Sequence, residues 1–353
     1  MLNFILRRLG YGLGVMTLVL ITISSIVYLA PVDPARLTFG QNVDAATVAS
    51  KKEALGLDKP LIVQMFYYLN DISPLSVHKH SAENKAKYNY LKLVSTGNQE
   101  AVVLKWPFLR ESFQTGRSVS EILKEKVPLT AILATAAILI GLFFGITLGV
   151  IAALKQYSWF DNSAVVTSVL GYSLPSYVTA IIIAIIFGYY LAPYTGLNLQ
   201  GGLVELDDFG NKIFVWKNLI LPAIALGIRP VALITQLTRS AMLDVMSQDY
   251  IRTAKAKGLS QFTIIFKHAL RNALNPVLTA ASGWFAALLA GAFFVENVFN
   301  YNGLGLETVN ALITFDLPVV LGAVLFTAMV FVLINILIDI LYAVLDPRVT
   351  VGH

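Results

Sequence analysis

Cysteine is absent from this sequence of 353 residues, and charged residues make up only 13% of it. The lack of cysteine excludes disulfides and thiolate metal sites. The scarcity of charge excludes an ordinary soluble domain, which carries about 25% charged residues. With 56% hydrophobic residues, the chain needs a lipid solvent. Its net charge of +5 does not indicate nucleic-acid binding, because the basic residues cluster at the ends of apolar runs.

What is present instead is a series of six apolar runs, each long enough for a membrane-spanning helix of about 20 residues. Backbone groups cannot remain unpaired in hydrocarbon, and the runs lack the alternation of barrel strands, so they predict helices. The first run is too long for the core of a signal peptide and is expected to be retained. The runs are Leu9–Ala30, Val127–Leu154, Asn162–Tyr194, Asn218–Thr238, Leu274–Val295 and Leu317–Ile338.

Basic residues in the short loops predict the orientation of these spans. Arg7 and Arg8 precede the first span, Lys155 follows the second, and the segment after the fourth is rich in lysine and arginine. Because basic short loops stay in the cytoplasm, both termini are predicted to be cytoplasmic. The long basic segment 31–126 does not contradict this, since segments of that length translocate largely regardless of charge.

The predicted fold class is an all-α polytopic membrane protein with six transmembrane helices and a small extracytoplasmic cap between the first two. The outer segment combines a helical stretch, Leu61–Leu69, with a polar stretch, His78–Tyr88, and is expected to be a folded cap with a partly mobile insert. The predicted parts are an N-terminal end with the first span (1–30), the outer segment (31–126), a five-span core (127–348) with a cytoplasmic loop (239–273), and a tail (349–353).

The most informative segment is the cytoplasmic loop. Tyr250–Lys257 contains good helix formers and ends at Gly258, a natural stop, and a second polar helix is predicted from Gln261 to Asn272. A short helix held at the base of a bundle is suited to transmit force to a cytoplasmic partner. Alternatively, it lies on anionic lipid, with Lys255 and Lys257 at the phosphates. The residues alone leave both interpretations open.

A resemblance to a known family favours the first interpretation. The loop resembles the one that bacterial importer permeases present to their ATPase subunits, in the variant of the dipeptide, oligopeptide and nickel branch. The matching residues are Asp249-Tyr250, Arg252-Thr253-Ala254, Ala256-Lys257-Gly258-Leu259-Ser260 and His268-Ala269-Leu270-Arg271-Asn272-Ala273. Leu29–Pro34, Leu55–Leu61, Glu296–Gly305 and the C-terminal residues Asn335, Asp339, Asp346 and Arg348 look like the same branch. The chain thus resembles the B-type permease of an ABC transporter, which is the first of the two permease subunits. Residues near 73–105 look like an insertion into the outer segment.

The resemblance implies a heteromeric importer of the bacterial cytoplasmic (inner) membrane. Its other parts would be a second homologous permease, two ATP-binding subunits that hold ATP and Mg, and an extracytoplasmic substrate-binding protein. Peptides, di- to oligopeptides, are the implied substrate, with nickel, glutathione, glycosides or other small solutes as alternatives. The implied ATPase-docking residues are Tyr250, Arg252, Thr253, Ala254, Lys255, Lys257, Gly258, His268 and Arg271.

Other classes of function lack the residues they need. No phosphate-binding loop, metalloprotease motif or nucleophile elbow is present, which argues against an enzyme and leaves ATP hydrolysis to partners. A self-sufficient carrier needs ionisable relays within its spans, and only Arg229 lies inside one, with Asp339 at an edge. His78 and His80 have no acidic companion, so no metal site and no cofactor are predicted in this chain.

Several residues are candidates for the transport pathway. Charge in mid-span costs at least about 2.5 kcal/mol, so Arg229 either lines the pathway and meets a peptide carboxylate or bonds to carbonyls of a neighbouring helix. Pro175, with Ser173, is expected to kink span three along the pathway, and Pro222 and Pro230 are expected to do the same in span four.

The ends of the last two spans carry further polar residues. Glu296, at the outer end of span five, is expected to form an outer gate, to dock the binding protein or to be a solvated helix end. Asn335 and Asp339, one turn apart, are expected to join helices through polar contacts, and Asp346 and Arg348 are predicted structural polar residues.

Overall fold

The computed structural model describes residues 2–29, 50, 53, 58–97 and 100–345, and most of them are helical. The turn predicted after Leu29, most of the Leu55–Leu61 motif, Asp346, Arg348 and the tail lie outside the described residues. In the first part of the chain the elements are α1 (Leu2–Leu29), α2 (Leu61–Ile72), β1 (Leu75–Lys79), α3 (Ala82–Tyr88), β2 (Leu91–Gly97), β3 (Glu100–Leu104) and α4 (Val119–Leu154).

The second part of the chain begins with a bent pair of helices. Helix α5 (Trp159–Ser173) is followed by α6 (Ser176–Ile183), which continues as a π-helix over Ala184–Tyr190. The elements that follow are α7 (Ala192–Thr195), β4 (Val204–Leu206), β5 (Lys212–Phe214), α8 (Lys217–Met246), α9 (Asp249–Ala256), α10 (Gln261–Thr263) with a π-helix over Ile264–Ala269, α11 (Leu270–Gly291), α12 (Phe293–Phe299), α13 (Leu304–Ile313) and α14 (Leu317–Leu345).

Apolar helices of membrane-spanning length confirm a multi-span chain. Within the described residues, α4, α8 and α14 each meet the length and hydropathy of a span, and the count reaches five if each of two bent pairs forms one span. These pairs are α5 with α6 and its π-helix, bent by 107°, and residues 261–289 with α12, bent by 58°.

Pro175 explains the sharper bend. Proline has no N–H to donate and disfavours helical geometry in the residue before it. Accordingly, Leu174 is extended (φ −72°, ψ 132°) between the end of α5 and the start of α6. The expected kink is therefore a complete break. In the fourth span, Pro222 and Pro230, where kinks are predicted, lie inside the continuous helix α8 from Lys217 to Met246.

Two compact units make up the chain. One comprises Met1–Leu9, Lys126–Glu307 and Met329–His353, and the other comprises Gly10–Glu125 and Thr308–Ala328. The core of the first unit lies along α4 and α8, with Leu133, Leu221 and Ile234 at its centre. In the second unit, Leu20 of α1 packs with residues of α2 and α14.

A row of glycines brings α4 against α8. Gly141, Gly145 and Gly149 repeat every fourth residue, so they share one face of the helix. A methyl group on Gly141, Gly145 or Gly149 would lie 2.7, 2.7 or 2.6 Å from the Cβ atoms of Pro230, Ile234 and Thr238, respectively. Such small residues let transmembrane helices approach closely. Close packing strengthens the van der Waals attraction between the helices, which matters because the hydrophobic effect does not drive helices together within lipid.

Two small sheets show that the all-α prediction is incomplete. Near 73–105, where sequence predicts a partly mobile insert, β1, β3 and β2 form an antiparallel sheet in that order. Strands β4 and β5 form a hairpin before α8. Alternation over five residues, as in β1, is too short to be distinguished from loop composition in the sequence.

Candidate functional site

The predicted docking loop contains a short helix, α9, attached firmly at its base. Its inner residues Ile251 and Ala254 are almost completely buried, and they pack with Met242 of α8 and Ile264 of the π-helix. Beyond the last turn, Gly258 adopts φ +73°, a left-handed conformation that few residues other than glycine adopt readily. This stop turns the chain toward α10, whose N-cap Ser260 accepts a hydrogen bond from the Thr263 N–H at 3.3 Å.

The outer side of this helix carries most of the predicted docking residues. Tyr250, Arg252, Thr253, Lys255, Lys257, Gly258 and Arg271 are exposed, His268 is half-buried, and Ala254 is buried and belongs to the anchor. The Tyr250 hydroxyl accepts a hydrogen bond from the Asn272 amide at 2.9 Å, which ties α9 to the start of α11. The structure therefore distributes the predicted residues over α9, the turn after it and the helix that follows α10, and their role in docking stays a prediction.

Two aromatic residues of this surface were missed by sequence reasoning. Phe262 and Phe266 are 70% and 50% exposed, and their ring centroids lie 4.5 Å apart. Their spacing of four residues was visible in the sequence, but it reads equally well as the buried face of a helix. The structure places them outward, beside the exposed Leu259.

A buried ion pair, also missed, joins α5 and α8 just before the loop. Arg239 donates to both carboxylate oxygens of Asp161, from Nε at 2.5 Å and from Nη2 at 2.7 Å. Asp161 is 1% exposed and also accepts a hydrogen bond from the Tyr157 N–H at 2.9 Å. A bidentate arginine fixes geometry as well as charge. An acid directly before one apolar run and an arginine directly after another were the available signals.

The break between α5 and α6 is where Arg229 lies. Its guanidinium sits 5.6 Å from the ring centroid of Tyr172, and Nη2 lies 3.5 Å from the Tyr172 carbonyl oxygen. The Nε atom is buried and has no hydrogen-bond partner among the described residues. Ser173 and Pro175, the other candidates here, are exposed beside it. The structure thus brings three of the four predicted pathway residues together.

An exposed aromatic surface continues from this break. Tyr172, Leu174 and Tyr177 are each between about two-fifths and half exposed, and the ring of Tyr177 lies 6.2 Å from that of Phe294. A half-buried cation beside exposed aromatic faces matches a ligand with both a carboxylate and apolar groups.

Glu296 is not part of that surface, and its predicted exposure is wrong. The side chain is fully buried. Its Oε1 accepts a hydrogen bond from the Thr130 hydroxyl at 2.7 Å, and its Oε2 accepts one from the Leu306 N–H at 3.0 Å. Gly303 and Gly305 permit this wrapping, because a methyl group on either would lie within 3.0 Å of Glu296. A solvated helix end is therefore the wrong interpretation of this residue, and its role in an outer gate stays a prediction.

The turn around Glu296 also binds the loop that precedes α8. Asn302 accepts from the Leu203 N–H at 3.1 Å and donates to the Val204 carbonyl at 2.7 Å. The Tyr301 hydroxyl donates to the Leu129 carbonyl at 2.9 Å. These bonds join α4, the loop before α8 and the turn after α12. The side chain of Asn302 thus holds two backbone groups of that loop.

The remaining candidates are placed as follows. Asn335 donates to the Phe331 carbonyl of its own helix at 2.7 Å, and it is half-buried. Asp339 lies in α14, but its side chain is outside the described residues, as are Asp346 and Arg348. His78 stacks on Tyr88 with centroids 4.2 Å apart, and no cluster of metal-binding side chains occurs in the described part of the chain.

Comparison with known families decides what this arrangement belongs to. Residues 145–351 match the family described as binding-protein-dependent transport system inner membrane component. Residues 1–86 match the N-terminal region of the same kind of protein. The chain belongs to this family. It is a permease subunit of an ABC transporter, with several membrane-spanning helices, as the loop motif predicted.

Similar proteins extend over the full permease. The di/tripeptide transport system permease protein DppB of Pseudomonas aeruginosa is 36% identical over 99% of both chains. The dipeptide transport system permease protein DppB of Alkalihalophilus pseudofirmus is 33% identical, again over 99% of both. Among solved structures, the inward-facing MetNI methionine ABC transporter matches with a TM-score of 0.50 and 17% identity, covering 64% of this permease and 97% of that chain. This likeness shows a shared fold.

Proposed function

We propose that this permease forms half of the translocation pathway of a peptide importer, for di- to oligopeptides. The observation that carries the proposal is the similarity, over essentially the whole length of each chain, to permeases named for dipeptides and di/tripeptides. Nickel, glutathione, glycosides or another small solute would be the alternative cargo.

The pathway is proposed to pass the break between α5 and α6. There the half-buried Arg229 offers its positive charge to the carboxylate of a peptide, while Tyr172 and Tyr177 offer aromatic faces to its side chains. Ser173 and Pro175 line the same exposed surface. A broken helix is suited to this role, because irregular backbone within a membrane is tolerated where it lines a cavity.

ATP-driven movement is proposed to enter through the docking loop. Each of two ATP-binding subunits, which hold ATP and Mg, would contact one permease, here through α9, and a second homologous permease would complete the pore. An extracytoplasmic binding protein would deliver the peptide. This chain binds no cofactor or metal and is not an enzyme in this scheme. It supplies an element with two states, and the ATPase supplies the bias between them.

The proposed topology has six spans in the bacterial inner membrane, with α1 as the first and both termini in the cytoplasm. The basic residues of α9 and its surroundings support this orientation, since they lie at the end that the positive-inside rule assigns to the cytoplasm. The three-stranded sheet would then belong to the extracytoplasmic cap.

Uptake by a strain that lacks its own peptide permeases tests the cargo. Cells that produce the permease with its partner subunits would take up a labelled dipeptide, and excess unlabelled tripeptide would compete. Uptake of nickel without uptake of peptide would replace the proposed cargo by the metal. Failure of the tagged permease to co-purify with ATP-hydrolysing subunits would contradict the coupling scheme itself.

A variant of Arg229 tests the pathway assignment. Arg229→Gln removes the charge and is expected to abolish the preference for a peptide with a free carboxylate over the same peptide with an amidated C-terminus. Arg117→Gln, at an exposed arginine paired with Glu125, serves as the control and is expected to keep the preference. An unchanged preference in Arg229→Gln would leave Arg229 with only its contact to the Tyr172 carbonyl.

A further inference from the structure

The three-stranded sheet has one covered face and one open face. On the covered face, Ser76, His78, Ala101 and Val103 are less than a tenth exposed, and Tyr88 and Tyr90 pack there. Successive side chains of a strand point to opposite faces. The residues between the buried positions therefore form the open face, which lacks a cover among the described residues.

Two neighbouring cross-strand rows of this open face are aliphatic. In one cross-strand row, Leu104 of β3 is in register with Leu75 of β1 and Leu91 of β2. In the next row, Val102 is in register with Val77 and Val94. All six are leucine or valine, and five of them count among the exposed large hydrophobic residues, up to 70% exposure at Leu91.

A patch of this kind marks an interaction surface. Transient protein interfaces are about as polar as the rest of a protein surface. An uninterrupted block of leucine and valine is therefore poorly suited to a soluble partner that must dissociate in each transport cycle. It is suited to a permanent apolar neighbour.

Polarity changes along the strands. At the end near the β2–β3 turn, Lys79 is in register with Glu100. At the other end stand Leu75, Leu104 and, two residues later in the chain, Trp106, which is 86% exposed. Tryptophan prefers the interface between headgroups and acyl chains. The sheet thus has an apolar end with an interfacial residue and a charged end.

The apolar end is also the end joined to the membrane helices of the same unit. Strand β1 begins directly after α2, whose Tyr68 packs in one cluster with Leu20 of α1 and Leu321 of α14. The Asn70 side chain, near the end of α2, donates to the Val77 carbonyl at 2.9 Å and accepts from the Val77 N–H at 3.0 Å. This pair of bonds holds β1 at the end of a helix that itself contacts α1.

We propose that the open face, defined by Leu75, Val77, Leu91, Val94, Val102 and Leu104 with Trp106 at its end, rests on the surface of the phospholipid bilayer at the boundary between headgroups and acyl chains. The exposed Lys79, which lies on the same face beyond these rows, is suited to contact a headgroup phosphate. Contact of this face with lipid is a property beyond peptide import, and it does not depend on which solute the transporter carries.

The absence of cysteine makes a direct test simple. Spin labels on Leu91→Cys and Val102→Cys report the open face, and a label on Glu83→Cys, in the exposed first turn of α3, is the matched control. The full transporter is reconstituted in nanodiscs of phosphatidylethanolamine and phosphatidylglycerol. Collisions with oxygen, which concentrates in lipid, are compared with collisions with a water-soluble nickel chelate.

The expected result is a higher ratio of oxygen to nickel accessibility at Leu91 and Val102 than at Glu83. Equal ratios at all three positions would show an uncovered face and overturn the proposal. Low accessibility to both reagents at the two face positions would show a protein cover, by the second permease or the binding protein, and would overturn it as well.

A second readout needs no label. Brominated lipid quenches tryptophan at the interface, and Trp106 is one of four tryptophans. Trp106→Phe is expected to remove a distinct share of the quenching by lipids brominated near the headgroup. Unchanged quenching in Trp106→Phe would contradict contact of this end of the sheet with lipid.

Discussion

At the scale of single residues, the buried polar groups of this permease have the most specific partners. Glu296, Asp161 and Arg239 are each fixed by two or more hydrogen bonds, and none of these partnerships was predicted from the sequence. Sequence patterns locate a polar residue within an apolar run, but the partner lies on a remote segment. Arg229 could be identified as a candidate from the sequence alone, because a charge in the middle of a membrane span is costly whatever its partner.

Replacing Glu296 by glutamine is expected to lower the stability of the permease. The amide offers a donor where the Thr130 hydroxyl or the Leu306 N–H needs an acceptor, and one unsatisfied buried group costs about 1–3 kcal/mol. Thermal unfolding in detergent, followed by tryptophan fluorescence, measures the loss. Glu307→Gln is the control, because that residue is partly exposed and pairs with Lys126 at 3.3 Å. Equal shifts for both variants would count against a buried role of Glu296.

Arg239→Lys is expected to weaken the contact between α5 and α8 although the charge remains. Lysine cannot donate to both carboxylate oxygens in the fixed geometry of the guanidinium. Breaking a buried pair costs about 3–5 kcal/mol when one partner is removed, so a smaller loss is expected here than in Arg239→Ala. The same change at Arg252, in an exposed pair with Asp249, is expected to leave the melting temperature nearly unchanged. A double-mutant cycle with Asp161→Asn measures the coupling, and additive effects would contradict the pair.

His78 is expected to make the stability of the outer sheet depend on pH. Burial, then the nearby Lys105, lowers the pKa of the imidazole below its usual value. Because the folded state binds its proton less readily than the unfolded state, stability is full above about pH 6.5 and falls as the pH drops below it. Protection of β1 against hydrogen exchange, corrected for the intrinsic rate, reports this loss. His78→Phe keeps a ring against Tyr88 and should flatten the profile, whereas a profile that persists would assign the effect to another group.

At the scale of elements, packing of helices and breaks within them determine the architecture. The positions of the three long spans and of the two bent pairs were predictable, because runs of about 20 apolar residues have few alternatives in a membrane protein. The break at Pro175 was anticipated as a kink, but Pro222 and Pro230 do not interrupt α8. A proline alone therefore does not decide between a break and a continuous helix, since its neighbours can satisfy the freed backbone groups.

The glycine row of α4 gives a prediction at this scale. Gly145→Ala would place a methyl group 2.7 Å from Ile234 Cβ, so α4 and α8 must separate, and overpacking of this kind costs about 1–3 kcal/mol. A lower melting temperature of the transporter in detergent is expected. Gly283→Ala is the matched control, as nothing lies within 4 Å of a methyl group there. An equal loss of stability in Gly283→Ala would contradict the role of these glycines in the close contact of α4 with α8.

At the scale of the whole molecule, sequence motifs were sufficient to predict the family without any structural information. Short segments spread along the chain, above all the loop around Gly258, pointed to an ABC permease, and the family comparison agrees. The two small sheets were not predictable, because their strands are short and their cross-strand partners are set by tertiary contacts. The identity of the cargo rests on relatives, since a pathway surface of one arginine and a few aromatics fits more than one solute.

Transfer of force from the ATPase through α9 is tested most directly by changing the backbone conformation at Gly258. ATP hydrolysis stimulated by peptide and binding protein is measured on the reconstituted transporter with the native chain, Gly258→Asn and Gly258→Val. At φ +73°, asparagine is tolerated, whereas valine is strained by about 1–2 kcal/mol or more. If α9 receives this force, stimulated ATP hydrolysis stays near the native level with asparagine. With valine it falls roughly tenfold, at equal expression and membrane insertion. Full stimulation with valine would contradict the assignment of this loop as the element that receives the ATPase.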